Sequence, residues 1–596
     1  MALDTVQMSN GVFDFARRAE HHARPLVNPL RCDVEDARRR LQDVRLVRGD
    51  VQARIIVCRA QESTHGWHLV PIPSPCVTLA RARRFTRIMG SGVEPVRFLP
   101  SISLLHMISE MEAEISMHTK VPSCPPWRDR FIGLDDMLPL LDGRLAPYIN
   151  LDNAASTPPL RDVAEAVERF LPFYSSVHRG SGFKSRVSTA AYDDAHDVVA
   201  RFVGADTRTN TVIFGKNTTE AINKLAFRYP LAPGSVVLST EMEHHSNDLP
   251  WRRATVVRAR LTPDGRLDED DVDRLLARYG ERIALVTVSG ASNVTGFVQP
   301  IERLARKAHT VGARIVVDAA QLAPHRRIDV KSDDDPEHID FVVFSAHKMY
   351  APFGTGALVG RRDIFLDSAP EYQGGGTVEI VTPTDVEWAG LPDREEAGSP
   401  NVVGAMAMAA AARTLTEIGM ERLEHYEALL TQYALERLQS VPGIVFYGER
   451  EFAQSGDRIG VIPFNVGATH HALVAAILGG EAGIGVRNGC FCAQPYVAQL
   501  LRLTPAAQAA RRREHLAGDR LRAPGMVRVS LGAYNTCDEI DALAEMLERI
   551  ARNDYRGKYF QVPETGDYRA AGDNQLAHTE SIHQCGVPRA VPLQVS

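Results

Sequence analysis

Phe341-Val342-Val343-Phe344-Ser345-Ala346-His347-Lys348 decides how this chain is read. Four apolar residues stop abruptly at Ser-Ala-His-Lys, and Pro352, Gly354 and Gly356 follow. An unbroken apolar run predicts a strand buried on both faces of a parallel sheet. The polar residues then fall at its carboxyl end, where open α/β sheets place their ligands. A lysine there can form a Schiff base with a carbonyl cofactor. Of the eight lysines, Lys348 alone ends a buried strand in this way. A solvated surface lysine would fit the same position, so the reading rests on what converges there.

Outward from this stretch the pattern repeats. Strands are predicted at 148–151, 212–214, 236–238, 255–257, 284–288, 315–317, 341–344 and 357–359. Helices are predicted at 161–170, 186–202, 219–227, 269–278 and 301–311. The alternation from 212 to 359 implies a mostly parallel sheet covered on both faces, with those seven strands in one large domain. An alanine-rich helix at 405–418 and a longer one at 421–438 lead into a smaller α+β domain. That domain has strands at 460–464 and 526–530 and a closing helix at 538–552. Thr536 and Glu539 fit a capping box at its start.

The division read from the chain is therefore an N-terminal extension (1–130), a large domain (131–404), a small domain (405–554) and a flexible tail (555–596). The extension carries no motif and is expected to be partly disordered. It offers a helix at 34–47, a strand at 54–57 and a helix at 104–117.

Of the 596 residues, 44% are hydrophobic and 24% charged, as in ordinary globular enzymes. No run of about eighteen apolar residues appears, and acidic and basic residues interrupt any signal-peptide core at the N-terminus. Eight cysteines in so long a chain argue against a disulfide scaffold, and a cytoplasmic location is expected. Net charge is −6. Residues 1–130 hold 19 Lys+Arg against 14 Asp+Glu, and the remainder 49 against 60. The basic extension reads as arginine-biased coding rather than a nucleic-acid-binding arm.

Five groups fall at strand ends: Ser345, His347 and Lys348; Asp318 with Gln321; Lys216-Asn217-Thr218-Thr219; Glu243-His244-His245-Ser246-Asn247; and Ser292-Asn293. Each suits pyridoxal phosphate. A helix start with two threonines offers N–H groups and hydroxyls to a phosphate, and Ser345 and His347 complete the cradle. Asp318 suits the pyridine nitrogen, which a carboxylate keeps protonated. His244 could stack on the ring, and Asn293 or Gln321 could bond its oxygen. Singly, each has a plain alternative: Thr218-Thr219 is an ordinary helix start. His244-His245 as metal ligands lack a third partner, and no metal is expected.

These stretches resemble the class V aminotransferase family. They are most similar to short-loop cysteine desulfurases and selenocysteine lyases. The resemblance covers about 147–555 and includes Leu151-Asp152-Asn153-Ala154-Ala155, Ala397-Gly398-Ser399-Pro400, Arg487-Asn488-Gly489-Cys490-Phe491-Cys492 and Arg528-Val529-Ser530-Leu531. It implies the type I fold of pyridoxal-phosphate transferases. It also implies that Lys348 carries the cofactor, Asp318 pairs with its ring nitrogen and His244 stacks on it. Thr218, Thr219, Ser345 and His347 then hold the phosphate, while Gln321 and Asn293 line the ring. Arg528 grips the substrate carboxylate, with Arg487 and Asn293 near the substrate. Ser399 reaches the other subunit's cofactor, so a homodimer with a shared site is implied. Cys492 takes sulfur from L-cysteine as a persulfide, with L-alanine as product and possible transfer to an acceptor protein.

Two departures stand near the substrate entrance. The two residues before Cys492 are Cys490 and Phe491, where such desulfurases usually have histidines. Extra sequence, including Arg511-Arg512-Arg513, also separates Cys492 from Arg528. Epimerisation, lyase chemistry or transamination of another amino acid remains an alternative on the same scaffold. A non-catalytic cofactor-binding sensor is a third reading.

Overall fold

In the computed structural model of the protein, the described residues are 121–448 and 457–572, with the backbone of two strands, Cys58–Ser63 and Gly66–Pro71. Met1–Cys76 and Val77–Ser596 are separate compact units. In the first, the two strands form an antiparallel hairpin. The elements expected at 34–47, 54–57 and 104–117 lie outside the described residues.

The second unit is built on one seven-stranded sheet. Its strands are β1 (Asn210–Gly215), β2 (Val236–Thr240), β3 (Thr255–Ala259), β4 (Ile283–Ser289), β5 (Arg314–Asp318), β6 (Phe341–Ser345) and β7 (Gly356–Arg361). The spatial order is β1-β7-β6-β5-β4-β2-β3. All pairings are parallel except those of β7, which runs antiparallel between β6 and β1. The α/β fold and mostly parallel seven-stranded sheet expected from sequence are both present. The strand expected at 148–151 stands apart: Ile149–Asn150 pairs in parallel with Ile484–Gly485, outside this sheet.

Five helices connect or cover these strands: α1 (Arg161–Phe170), α2 (Phe183–Phe202), α3 (Thr218–Arg228), α4 (Glu269–Tyr279) and α5 (Ile301–His309). Val316, Val317, Phe341, Val342 and Val343 in the sheet centre are all 0% exposed. Burying each such side chain stabilises by roughly 1.5–3 kcal/mol. The centre is therefore rigid, and residues projecting from its carboxyl edge inherit fixed positions.

Helix α6 (Val402–Ile418) packs on α1 and α2, because its alanines permit close approach. Helix α7 (Met420–Gln439) then turns toward a four-stranded antiparallel sheet. That sheet contains β8 (Ile444–Phe446), β9 (Val461–Val466), β10 (Arg487–Gly489) and β11 (Met526–Ser530) in the order β8-β9-β11-β10. Helices α8 (His471–Ala482), α9 (Gln494–Leu500), α10 (Pro505–Leu516) and α11 (Cys537–Ala551) complete this part. The Thr536–Glu539 capping box opens α11.

Two expected boundaries shift. Residues 121–130 belong with the folded body: Trp127 Nε1 donates to the Ala533 carbonyl at 2.9 Å, and Arg128 pairs with Glu539 at 3.0 Å. Residues 555–572 do not form a loose tail. Tyr559–Gln561 and Tyr568–Ala570 make a hairpin, and Glu481 accepts the Arg556 and Gly557 N–H groups and the Tyr559 hydroxyl. Among the described residues no helix is long and apolar enough to cross a membrane.

Candidate active site

Parallel register brings three strand ends together. Asp318 at the end of β5 lies beside Ser289 of β4 and Val343 of β6. Strand β6 runs on through Ser345 into a single 3-10 turn, Ala346–Lys348. Because β7 is antiparallel, its first residue, Gly356, lies between Ser345 and Gly215. A side chain there would meet the Asn217 carbonyl carbon at 2.5 Å, so glycine lets the start of α3 sit against the sheet.

The result is a cavity of about 240 Å³ lined by Thr218, Thr219, His244, Asn293, Asp318, Gln321, Ser345, His347, Lys348, Arg487, Cys492 and Arg528. Of the residues given a catalytic, cofactor or substrate role from sequence, Ser399 alone lies outside this lining; it is exposed on the segment after the hairpin Val378–Val381/Val386–Trp388.

One end of the cavity is built to receive an anion. Asn217 caps α3 by accepting the Glu220 N–H. The Thr218 N–H donates to Ser345 Oγ at 2.7 Å, and the two hydroxyls lie 2.6 Å apart. Thr219 Oγ1 lies 2.7 Å from Ser246 Oγ. A helix start ringed by hydroxyls suits a phosphate. His347 stands alongside with its carbonyl accepting from Thr157, and burial pushes its imidazole down to about 4.

The middle of the cavity holds the ionisable pair. Burial lowers the Lys348 ammonium to about 8, against the opposing pull of Asp318. Lys348 keeps partial exposure because it faces the cavity, while dense packing around it strips bulk hydration. Burial raises the Asp318 carboxyl, opposed by the Ala320 N–H it accepts at 3.0 Å. A buried carboxyl raised in this way is best satisfied by a cationic ring N–H. His244 Nδ1 accepts the Ser246 N–H at 3.1 Å, and burial lowers the ring to about 3, so it is neutral. Gln321 Nε2 donates to the Ala154 carbonyl at 2.7 Å and keeps a second N–H.

The other end carries Arg528. Its guanidinium is buried, donates to the Asn293 carbonyl at 3.0 Å and pairs with Asp152 at 2.7 Å. Arg487 reaches the same Asp152 at 3.7 Å. Burial lowers the Arg528 pKa, and its Nε has no partner among the described residues.

Cys492 lies on a loop with an uncommon backbone. Phe491 and Cys492 both have positive φ, 50° and 55°. Side chains rarely adopt this conformation unless their surroundings impose it. Here they do: Asn293 Nδ2 donates to the Phe491 carbonyl at 2.7 Å, and the His245 N–H to the Cys492 carbonyl at 2.8 Å. His245 Nε2 accepts the Gln494 N–H at 3.2 Å. The Phe491 ring is buried 5.0 Å from the Arg528 guanidinium. The Cys490 thiol donates to the Pro524 carbonyl at 3.3 Å, and burial raises its pKa. The Arg511-Arg512-Arg513 run lies on α10, where Arg511 pairs with Glu514.

Sequence reasoning quoted four contributors without reaching their roles. Asp152 was visible only as part of a motif, with no sign that it would meet Arg528. His245 and Phe491 hold the cysteine loop through main-chain hydrogen bonds, which leave no residue-type signal, in addition to their ring contacts with Gln494 and Arg528. Glu243 is similarly hidden: fully buried, it accepts from Thr240, Asn247 and Ser289, and burial pushes its pKa up to about 7. It thereby fixes the loop that carries His244.

Comparison with known proteins agrees with this geometry. The family described as aminotransferase class-V matches residues 149–543. The chain is 36% identical over 417 residues to a cysteine desulfurase of Haloferax volcanii, covering 68% of this chain and 90% of that protein. It is 37% identical over 418 residues to one of Pectobacterium carotovorum subsp. carotovorum, covering 68% and 94%. Among solved structures, the apo cysteine desulfurase of Thermococcus onnurineus superposes with a TM-score of 0.59 at 32% identity, covering 68% of this chain and 95% of that one. A cysteine desulfurase of Escherichia coli in its S-sulfonic acid form gives 0.59 at 28%, covering 72% and 98%. On the strength of this match and of the site it covers, the chain belongs to the class V aminotransferase family.

Proposed function

We propose that the protein is a pyridoxal-phosphate-dependent cysteine desulfurase, converting L-cysteine to L-alanine and leaving the sulfur as a persulfide on Cys492. The observation that carries this reading is the single cavity shared by Lys348, Asp318, Arg528 and Cys492.

The residues present fit the cofactor. The hydroxyl-ringed start of α3 matches its phosphate, Asp318 matches a ring N–H, and Lys348 supplies the amine for its carbonyl. When bound, the cofactor supplies an electron sink for the substrate Cα. Lys348 Nζ, with its pKa lowered toward neutrality, takes and returns the Cα proton. Arg528 binds the substrate carboxylate, and Asp152 must share the fork. Neutral His244 covers the ring without adding charge. The Cys492 thiolate attacks the substrate sulfur; the sulfur–carbon bond breaks, and the substrate β-carbon takes up a proton. The Asn293 and His245 hydrogen bonds hold the cysteine loop for this approach.

A homodimer and a protein acceptor for the sulfur belong to the same reading. The arm carrying Ile380 and Val381, both about 60% exposed, and the exposed Ser399 after it support a partner subunit there. Borohydride reduction of the purified protein, followed by peptide mapping, tests the cofactor assignment. Label on Lys348, with alanine formed from cysteine, is expected; label on another lysine overturns it.

A further inference from the structure

We propose that His309, His338 and Asp340 form a binding site for a divalent cation of the zinc class, at the edge of the large sheet opposite the active site. His309 is the last residue of α5, and Asp340 immediately precedes β6. His338 lies in the segment between β5 and β6 and stacks on His309, with ring centroids 4.2 Å apart and planes at 18°.

The hydrogen bonds fix which ring nitrogens face the carboxylate. His309 Nδ1 contacts the Pro336 carbonyl at 2.9 Å, and His338 Nδ1 the Asp335 carbonyl at 2.7 Å. A carbonyl has no proton to give, so both Nδ1 atoms carry hydrogen and donate. Both Nε2 atoms then face Asp340, at 3.0 Å (Oδ2) and 3.5 Å (Oδ1). Without a proton or a cation between them, lone pairs would oppose lone pairs.

Two protons would make two stacked imidazoliums sharing one carboxylate, with Arg314 Nε a further 3.8 Å from Asp340. One divalent ion satisfies both nitrogens and the carboxylate together. The spacing suits it, since bonds of about 2.0–2.2 Å in a tetrahedron place neighbouring ligand atoms roughly 3.3 Å apart. Histidines that donate their second N–H to a backbone carbonyl have the usual outer-shell arrangement of metal ligands. A fourth position remains for water.

Apart from the long Arg314 contact to Asp340, the surrounding charges are engaged with other partners. Arg314 pairs with Asp363, Glu337 with Arg306 and Lys331, and Asp333 with Arg361. Asp340 Oδ2 also accepts the Ile315 N–H at 2.9 Å, which ties the site to the start of β5. An ion here would clip together α5, the loop and the amino ends of β5 and β6. The carboxyl ends of those same strands present Asp318 and lead to Lys348.

The test uses chelator-stripped full-length protein titrated with Zn²⁺, and with Co²⁺ as a spectroscopic probe. One equivalent of Zn²⁺ per chain is expected, with a raised melting temperature. Cobalt should show visible d–d bands without sulfur-to-metal charge transfer, which separates the site from Cys490 and Cys492. His309→Gln and His338→Gln, with unchanged circular dichroism, should each weaken binding by about 100-fold or more. Unaltered stoichiometry in both variants, or cobalt bands of thiolate character alone, would overturn the proposal. Should the variants not fold, zinc-soaked crystals of the wild-type protein decide: an anomalous peak among the three side chains supports the site, and its absence there refutes it.

Discussion

Asp152 and Arg528 form an ion pair of 2.7 Å at one end of the cavity, one partner from the loop after residue 150 and the other from β11. Under the proposed function, the substrate carboxylate is received by a guanidinium that already has one anionic neighbour. A planar fork can serve two carboxylates at once, whereas an ammonium is a single point of charge. Arg528→Lys should raise the KM for cysteine by about tenfold or more, while the visible cofactor spectrum stays unchanged. Steady-state kinetics with spectra of the same samples check this.

Gly356 fixes the anion end. A methyl group there would meet the Asn217 main chain at 2.5 Å, so Gly356→Ala must push the start of α3 away from Ser345. Cofactor affinity should fall about tenfold or more, with secondary structure retained, because a small misplacement of the cradle is costly. Equilibrium dialysis of the apoprotein against pyridoxal phosphate measures it.

Lys348 gives a pH dependence of defined sign. Burial lowers its ammonium to about 8, so the neutral amine predominates above that pH and the charged form below it. The rate at which apoprotein captures the cofactor covalently should rise as pH passes upward through about 8 and then level off. Stopped-flow absorbance across pH 6–10 reads the profile, and a flat profile contradicts the assignment.

The sheet and most of the cavity were legible because they rest on local patterns. Phe341–Phe344 could be read as a strand from composition alone, and Lys348 followed from where that run stops. The same logic reached Asp318 and Thr218. What stayed hidden depends on chain segments far apart in sequence or on backbone conformation. Asp152 meets Arg528 across 376 residues. The left-handed Phe491 and Cys492 are set by Asn293 and His245, and neither residue type announces positive φ. The sequence places Asn293 beside the ring and the substrate but does not show that its side chain holds the Phe491 carbonyl and its own carbonyl accepts from Arg528. Helices α8 and α10 also escaped notice, the first because its apolar residues are not confined to one face, the second because none of its residues is buried.

Sulfur transfer through Cys492 is decided by alanine production from L-cysteine in Cys492→Ser, beside Cys490→Ser and the wild type. Cys490 is half-buried, donates to the Pro524 carbonyl and has its pKa raised by burial, so its replacement should cost little. Cys492 lines the cavity on a loop pinned by Asn293 and His245, and serine cannot replace its thiolate. Cys492→Ser should lose roughly 1000-fold or more in alanine formation while keeping its cofactor spectrum. Alanine formation at the wild-type rate in Cys492→Ser would contradict it.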